Sequence, residues 1–305
     1  MTKPVSGKGK YKTVFILFRG FPKMCKDGGC ETTEDTLVIG DGVGDFELAS
    51  LEAMRGSIAK DAIIILSAHG SRQDYKGEKI HALSAGSGEA FPTSSILQAI
   101  SVTLGKDSKA TVFVNACYSG LAVKEFARNV MPRGITLIGN SDANTTEMDL
   151  LSIRKFDAIR GVDSERAKSM LLRMYPEGFS YRKNDKLYKS NPPKTLLDTE
   201  SARSHIRDEF KSLNIPHRGP ITDEMVQQYN VGLICSCSNL DLSEEFLASV
   251  SKSGMDVNSP NLLGIKPVRY AAYSKNIPLI RALMFAGAEV DADLFNSVVK
   301  LMPDK

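Results

Sequence analysis

Two short runs of β-branched and aliphatic residues constrain this chain more than anything else in it. The run at residues 62–66 passes at once into Ser67, Ala68, His69 and Gly70, and the run at 112–114 passes into Asn115, Ala116, Cys117, Tyr118, Ser119 and Gly120. A run this short, apolar at consecutive positions and flanked by helical patterns, is a strand covered on both faces of a parallel sheet. In open α/β sheets the site lies at the carboxyl ends of the strands, so a His closing one run and a Cys closing the other are expected to meet.

That pair has the chemistry of a nucleophile and a proton donor. A thiol near its reference pKa of about 8.5 is only a few per cent thiolate at neutral pH. Leu121, Ala122, Val123, Phe126, Ala127 and Val130 stand at helical spacing. Cys117 is therefore expected just ahead of a helix N-terminus, where the peptide dipoles favour a negative sulfur. Gly70 and Gly120 permit close approach of a bound carbonyl, and the N–H groups of Gly70 and Cys117 are natural donors to an oxyanion. Taken singly, such a Cys or His is an ordinary packing or hydrogen-bonded residue. Taken together, at a spacing of 117 − 69 = 48, they point to catalysis.

The pattern His-Gly after one strand and Ala-Cys-Tyr-Ser-Gly after another resembles the caspase-like cysteine peptidases, among them caspases, metacaspases, legumain, clostripain and gingipains. Asn-Ala-Cys-Tyr-Ser-Gly stands nearer to the metacaspase and legumain versions than to the caspase Gln-Ala-Cys-x-Gly. The resemblance implies an α/β fold, a caspase-like sheet of mostly parallel strands flanked by helices, and peptide hydrolysis through a thioester. Cys117 would be the nucleophile and His69 the general acid and base. The donors to the oxyanion would be the N–H groups of Gly70 and Cys117. No third member of a triad is identifiable, and no cofactor or metal is called for. The resemblance also places the loop after the fifth strand, the residue two before the Cys and a residue after the first strand around the substrate side chain. Carried over, these are Asp142 with its neighbour Ser141, Asn115 and Arg19. Asp142 favours a basic side chain and Arg19 an acidic or amide one, so specificity stays open. Metacaspases usually carry an acid where Asn115 stands.

Composition narrows the partners. A net charge of +3, with acids and bases interspersed, gives no argument for nucleic acid. No apolar run approaches the roughly 18 residues of a membrane span, and residues 1–11 are polar and basic without a signal-peptide core. Five cysteines at irregular spacing make no disulfide framework and suggest a reducing, intracellular compartment. Cys25, Cys30, Cys235 and Cys237, at C-x4-C and C-x-C spacing without a nearby His, do not read as a zinc site.

In chain order, a loose basic arm is followed by a strand at 13–18, a turn-rich loop, a short strand at 36–39, a helical segment from Phe46, and the His69 strand. Residues 71–92 read as a hairpin or flap over the site. His81 lies within it and ranks below His69, since it neither ends a buried strand nor precedes a Gly. Thr93 or Ser94 can cap the next helix. A fifth strand spans 135–139. Helical patterns follow from Glu147, and residues 177–194 read as an exposed basic connection and a candidate self-cleavage site, as does the 71–92 hairpin. His205 and His217 are expected to be structural.

The tail repeats. Gly254-Met255-Asp256-Val257-Asn258 recurs as Gly287-Ala288-Glu289-Val290-Asp291 at 287 − 254 = 33, the ankyrin period. Lys266-Pro267-Val268-Arg269-Tyr270-Ala271-Ala272 resembles the opening of an ankyrin unit, with Cys235 and Cys237 in small buried positions of the preceding one. The expected organisation is a peptidase domain at 1–160, a helical connection at 161–225 and ankyrin-like repeats at 226–305, an all-α segment that holds a protein partner. Such a pairing resembles a bacterial effector released into a host cytoplasm. The rival readings are an inactive binding scaffold, and a thiol deubiquitinase or acyl transferase using the same two residues.

Overall fold

The computed structural model describes residues 9–18, 32–40, 45–84, 90–104, 107–125, 135–139, 161–183, 186–238, 240–262 and 264–294. Two compact units divide it: residues 1–167 with 179–189, and residues 168–178 with 190–305.

The first unit is built on a seven-stranded, mostly parallel sheet flanked by helices. Its strands are β1 (Tyr11–Leu17), β2 (Thr36–Ile39), β3 (Ile58–Ser67), β7 (Thr111–Asn115), β8 (Thr136–Gly139), β9 (Ser180–Lys183) and β10 (Lys186–Lys189), in the order β10-β9-β8-β7-β3-β1-β2. The five strands from β2 to β8 run parallel, and β9 and β10 are antiparallel additions at one edge. The uninterrupted apolar runs have the meaning expected of them. Val14, Ile16, Ile64, Leu66, Val112 and Val114 enter one core with Leu51 and Met54 of a 3₁₀ helix (Leu48–Met54) and Ile96, Leu97 and Ile100 of α1 (Thr93–Thr103). The alternating Phe15, Leu17, Ile63, Ile65 and Phe113 are at most 2% exposed on the opposite face.

The 71–92 region forms a separate three-stranded antiparallel sheet, β4 (Gly70–Tyr75), β5 (Glu78–Ser84) and β6 (Ala90–Pro92), in that spatial order. The exposed basic connection expected at 177–194 is instead mostly the β9–β10 hairpin. Ile138 pairs with Tyr181 across β8 and β9. Tyr181 is 1% exposed, its ring stacks on Tyr188 at 4.6 Å, and the Arg182 Nε–H donates to the Val123 carbonyl at 3.0 Å. A buried tyrosine stacked on a half-buried one, and a buried arginine, outweigh the lysines that made the segment look like solvated loop.

The second unit is helical in its described residues beyond the division, with α4 (Thr199–Ser212), α5 (Asp223–Cys237), α6 (Glu244–Lys252), α7 (Pro267–Tyr273) and α8 (Ile277–Phe285). The division itself runs through α3 (Ser164–Met174). Asp198, Thr222, Ser243 and Asn276 cap α4, α5, α6 and α8 through their side-chain oxygens. Leu233, Ile234, Cys237, Phe246, Val250, Val268, Ala271, Leu279, Ile280 and Leu283 share one core.

Candidate active site

Strands β3 and β7 are neighbours, and Ser67 stands opposite Asn115. That pair is offset by 115 − 67 = 48 residues, the same spacing that separates His69 from Cys117. The Ala68 N–H donates to the Asn115 carbonyl at 3.4 Å, the bond that closes this last ladder pair. Ala68 and Ala116 are 2% and 6% exposed, and the next residue on each strand reaches toward water: His69 is exposed and Cys117, a thiol rather than a disulfide, is half-buried.

The two strand tips touch through glycine. A Cβ on Gly70 would lie 2.1 Å from the Cys117 carbonyl oxygen, 2.8 Å from the His81 Nε2 and 3.1 Å from the Ala116 Cβ. No side chain fits there, and so Gly follows His. Gly70 also opens β4. The Ser84 N–H donates to the His69 carbonyl at 2.9 Å, and Gly70 pairs with Leu83. In an antiparallel ladder bonded and non-bonded pairs alternate, so the Gly70 N–H turns away from β5.

After Cys117 the chain reverses sharply. Tyr118 sits at φ 60, in the left-handed region, and α2 (Ser119–Glu125) begins immediately after it. Gly139 is needed for that helix to seat against the end of β8, since a Cβ there would lie 2.6 Å from the Ser119 carbonyl oxygen and 2.8 Å from the Val123 Cγ2. The Arg72 guanidinium lies 4.3 Å over the Tyr118 ring, a cation stacked on the residue beside the thiol.

His81, ranked below His69, is completely buried under this turn. Its Nε2 lies 2.8 Å from the Cys117 carbonyl, its Nδ1 lies 2.6 Å from the Thr93 hydroxyl, and its backbone N–H donates to the Glu125 carboxylate at 2.8 Å. A carbonyl can only accept, so the proton is on Nε2 and Thr93 donates to Nδ1. Burial pulls the imidazole down to about 4, against a smaller opposing effect of the Cys117 carbonyl. His81 is therefore neutral at physiological pH and holds structure instead of exchanging protons. Thr93, expected as a helix cap, begins α1 without capping it, Pro92 holding the cap position. Its hydroxyl bonds His81 instead.

Among the residues expected around the substrate, Asn115 is 2% exposed, and its Nδ2 donates to the Ser67 Oγ at 2.7 Å. It braces the strand ends from within. Arg19, Ser141 and Asp142 lie outside the described residues, as do Cys25 and Cys30. Cys235 and Cys237 are buried in α5, with burial pushing both thiols up, Cys237 to about 12, which leaves them protonated packing residues. Among the described residues no group of His, Cys, Asp or Glu could hold a metal ion, and no helix is long and apolar enough to cross a membrane. His205 meets the Tyr229 hydroxyl at 3.2 Å, and the His217 ring stacks on Phe210 at 4.9 Å, both within the second unit.

No protein-family model matches the chain, and no curated protein matches it at a significant level.

Proposed function

We propose that the chain is a cysteine peptidase acting through Cys117 and His69. The observation that carries this reading is the common offset: the β3–β7 ladder is displaced by the same 48 residues that separate the imidazole from the thiol. Neighbouring strands lie about 4.8 Å apart, so residues that each stand two places beyond a paired Ser67 and Asn115 are within reach of one bound group. The thiolate sulfur adds to the scissile carbonyl carbon, and the carbonyl electrons move onto oxygen, where the N–H groups of Gly70 and Cys117 receive them. Collapse breaks the carbon–nitrogen bond as His69 delivers a proton to the leaving amine. A water then gives its proton to His69 as its oxygen attacks the thioester, releasing the carboxylate and the thiol.

The helical tail is read as ankyrin-like and as the part that holds a protein partner or substrate. Besides the repeat, the two related loops are tied together: Asn258 Nδ2 donates to the Gly287 carbonyl at 3.0 Å, and the Glu289 N–H donates to the Asn258 Oδ1 at 2.7 Å. Loop-to-loop bonding between successive units is what a stacked repeat requires.

The test is covalent capture. Peptidyl acyloxymethyl ketones with basic, acidic and amide side chains, together with ubiquitin vinyl sulfone, are incubated with the full chain and the adduct mapped by mass spectrometry. Labelling of Cys117 by a peptidyl probe, lost in Cys117→Ala and at least about 100-fold slower in His69→Ala, supports the peptidase. Labelling by the ubiquitin probe alone assigns a deubiquitinase. Labelling by neither leaves the binding scaffold.

A further inference from the structure

The Cys117 carbonyl and the Gly70 backbone meet at one side chain, and it comes from neither strand tip. His81 stands in the middle of β5, and its Nε2 is 2.8 Å from the Cys117 carbonyl and 2.8 Å from where a Gly70 Cβ would lie. Its other ring nitrogen is fixed by Thr93, the first residue of α1, and its backbone N–H by Glu125 at the end of α2. The ring thus has one orientation and one tautomer, set by the Cys117 carbonyl at one nitrogen and the Thr93 hydroxyl at the other. What it grips is the peptide between Cys117 and Tyr118, where the backbone enters a left-handed conformation that a tyrosine adopts only when its surroundings impose it.

We propose that His81 is a positioning residue for the Cys117 turn: its Nε2–H holds the Cys117 carbonyl inward, and this fixes the direction of the Cys117 side chain and backbone N–H against Gly70. The inference rests on Cys117 being the working nucleophile. It adds a third residue to the two strand-tip residues, one that touches no substrate. A leucine at 81 could fill the space but would take the ring N–H away from a part-buried carbonyl, and the turn would relax toward a conformation in which that carbonyl reaches water. A glutamine places an amide N–H close to where the imidazole Nε2–H lies, and so preserves the bond.

The experiment follows alkylation of Cys117 by iodoacetamide as a function of pH in the full chain, quantified on the Cys117 peptide by mass spectrometry so that the other four cysteines do not contribute. His81→Leu, His81→Gln and Thr93→Val are compared with the parent, each after its thermal unfolding midpoint has been recorded. The expected result is that His81→Leu shifts the pH midpoint of alkylation and changes the limiting rate by about tenfold or more. His81→Gln returns both to within about threefold of the parent. Thr93→Val, which releases the ring without removing it, falls between, and it decides the matter together with His81→Gln if His81→Leu does not fold. A Thr93→Val profile identical to the parent, or a folded His81→Gln as displaced as His81→Leu, overturns the proposal. This readout needs no substrate. Displaced alkylation in His81→Leu, restored in His81→Gln, with a parent chain that no peptidyl probe labels would defeat the peptidase reading while leaving the positioning role of His81 standing.

Discussion

Ser67 and Asn115 face each other at the last ladder pair of β3 and β7, joined side chain to side chain at 2.7 Å with both residues buried. This bond lies two residues below His69 and Cys117 and ties together the strand ends that carry them. Ser67→Ala removes an acceptor from a buried amide and should cost about 1–3 kcal/mol in urea unfolding. Combining it with Asn115→Leu removes both polar groups, so the double variant should lose less than the sum of the two singles. Strict additivity would mean that the pair is not a coupled unit.

Gly70→Ala is expected to do more damage than its size suggests. The new Cβ would lie 2.1 Å from a backbone oxygen, and backbone cannot swing aside as a flexible side chain can. The two strand tips must separate, which predicts a stability loss of about 1–3 kcal/mol and at least about 100-fold slower labelling of Cys117 by a peptidyl probe. Labelling within twofold of the parent would show that the contact between the tips is irrelevant to reactivity.

How much of this was legible in the chain depended on distance along it. The buried parallel strands announce themselves by consecutive apolar residues, and His69 and Cys117 draw notice by standing just past where those runs stop. The β9–β10 hairpin was hidden because Ser180–Lys183 and Lys186–Lys189 spend four of eight positions on lysine or arginine, and only the fold brings the aliphatic stem of Arg182 and the ring of Tyr181 inward. The role of His81 was hidden for a different reason. A histidine inside a polar hairpin has no local pattern, and its partners Thr93 and Cys117 lie 12 and 36 residues away. The available clue was Leu83, two residues on and so on the same face of β5 as His81, which places the imidazole on an apolar face. Asn115, expected beside the substrate, is buried with its amide on Ser67 opposite, a partner that only the pairing of β3 and β7 reveals.

Burial of His81 makes stability depend on pH in a defined direction. Its folded value near 4 lies below the unfolded value of 6.5, so between those limits the unfolded chain binds the extra proton. Stability from this residue is therefore complete above pH 6.5 and lost as the pH falls toward 4, with little further loss from it below that. The full difference is about 3 kcal/mol. His205, also depressed chiefly by burial, contributes in the same sense, whereas Glu209, raised by burial, contributes in the opposite one. His81→Gln isolates the effect: urea midpoints measured from pH 4 to 7 should vary less steeply than in the parent. Parallel curves would place the buried imidazole's contribution elsewhere.

The helical unit has its own close contact. Gly232 lies in the middle of α5, where a Cβ would come 1.8 Å from the Arg173 carbonyl oxygen and 2.9 Å from its carbon. On propensity alone, alanine in a helix interior is worth about 1 kcal/mol more than glycine, so an uncontacted glycine would be improved by the change. Here the contact is backbone on backbone, and neither partner can turn away. Gly232→Ala should thus destabilise the unit by about 2–3 kcal/mol, the overpacking cost outweighing the propensity gain. Thermal unfolding followed by far-ultraviolet circular dichroism decides it: a lower midpoint fits the close approach of α5 to Arg173, and a raised midpoint would mean that the two backbones are not held together there.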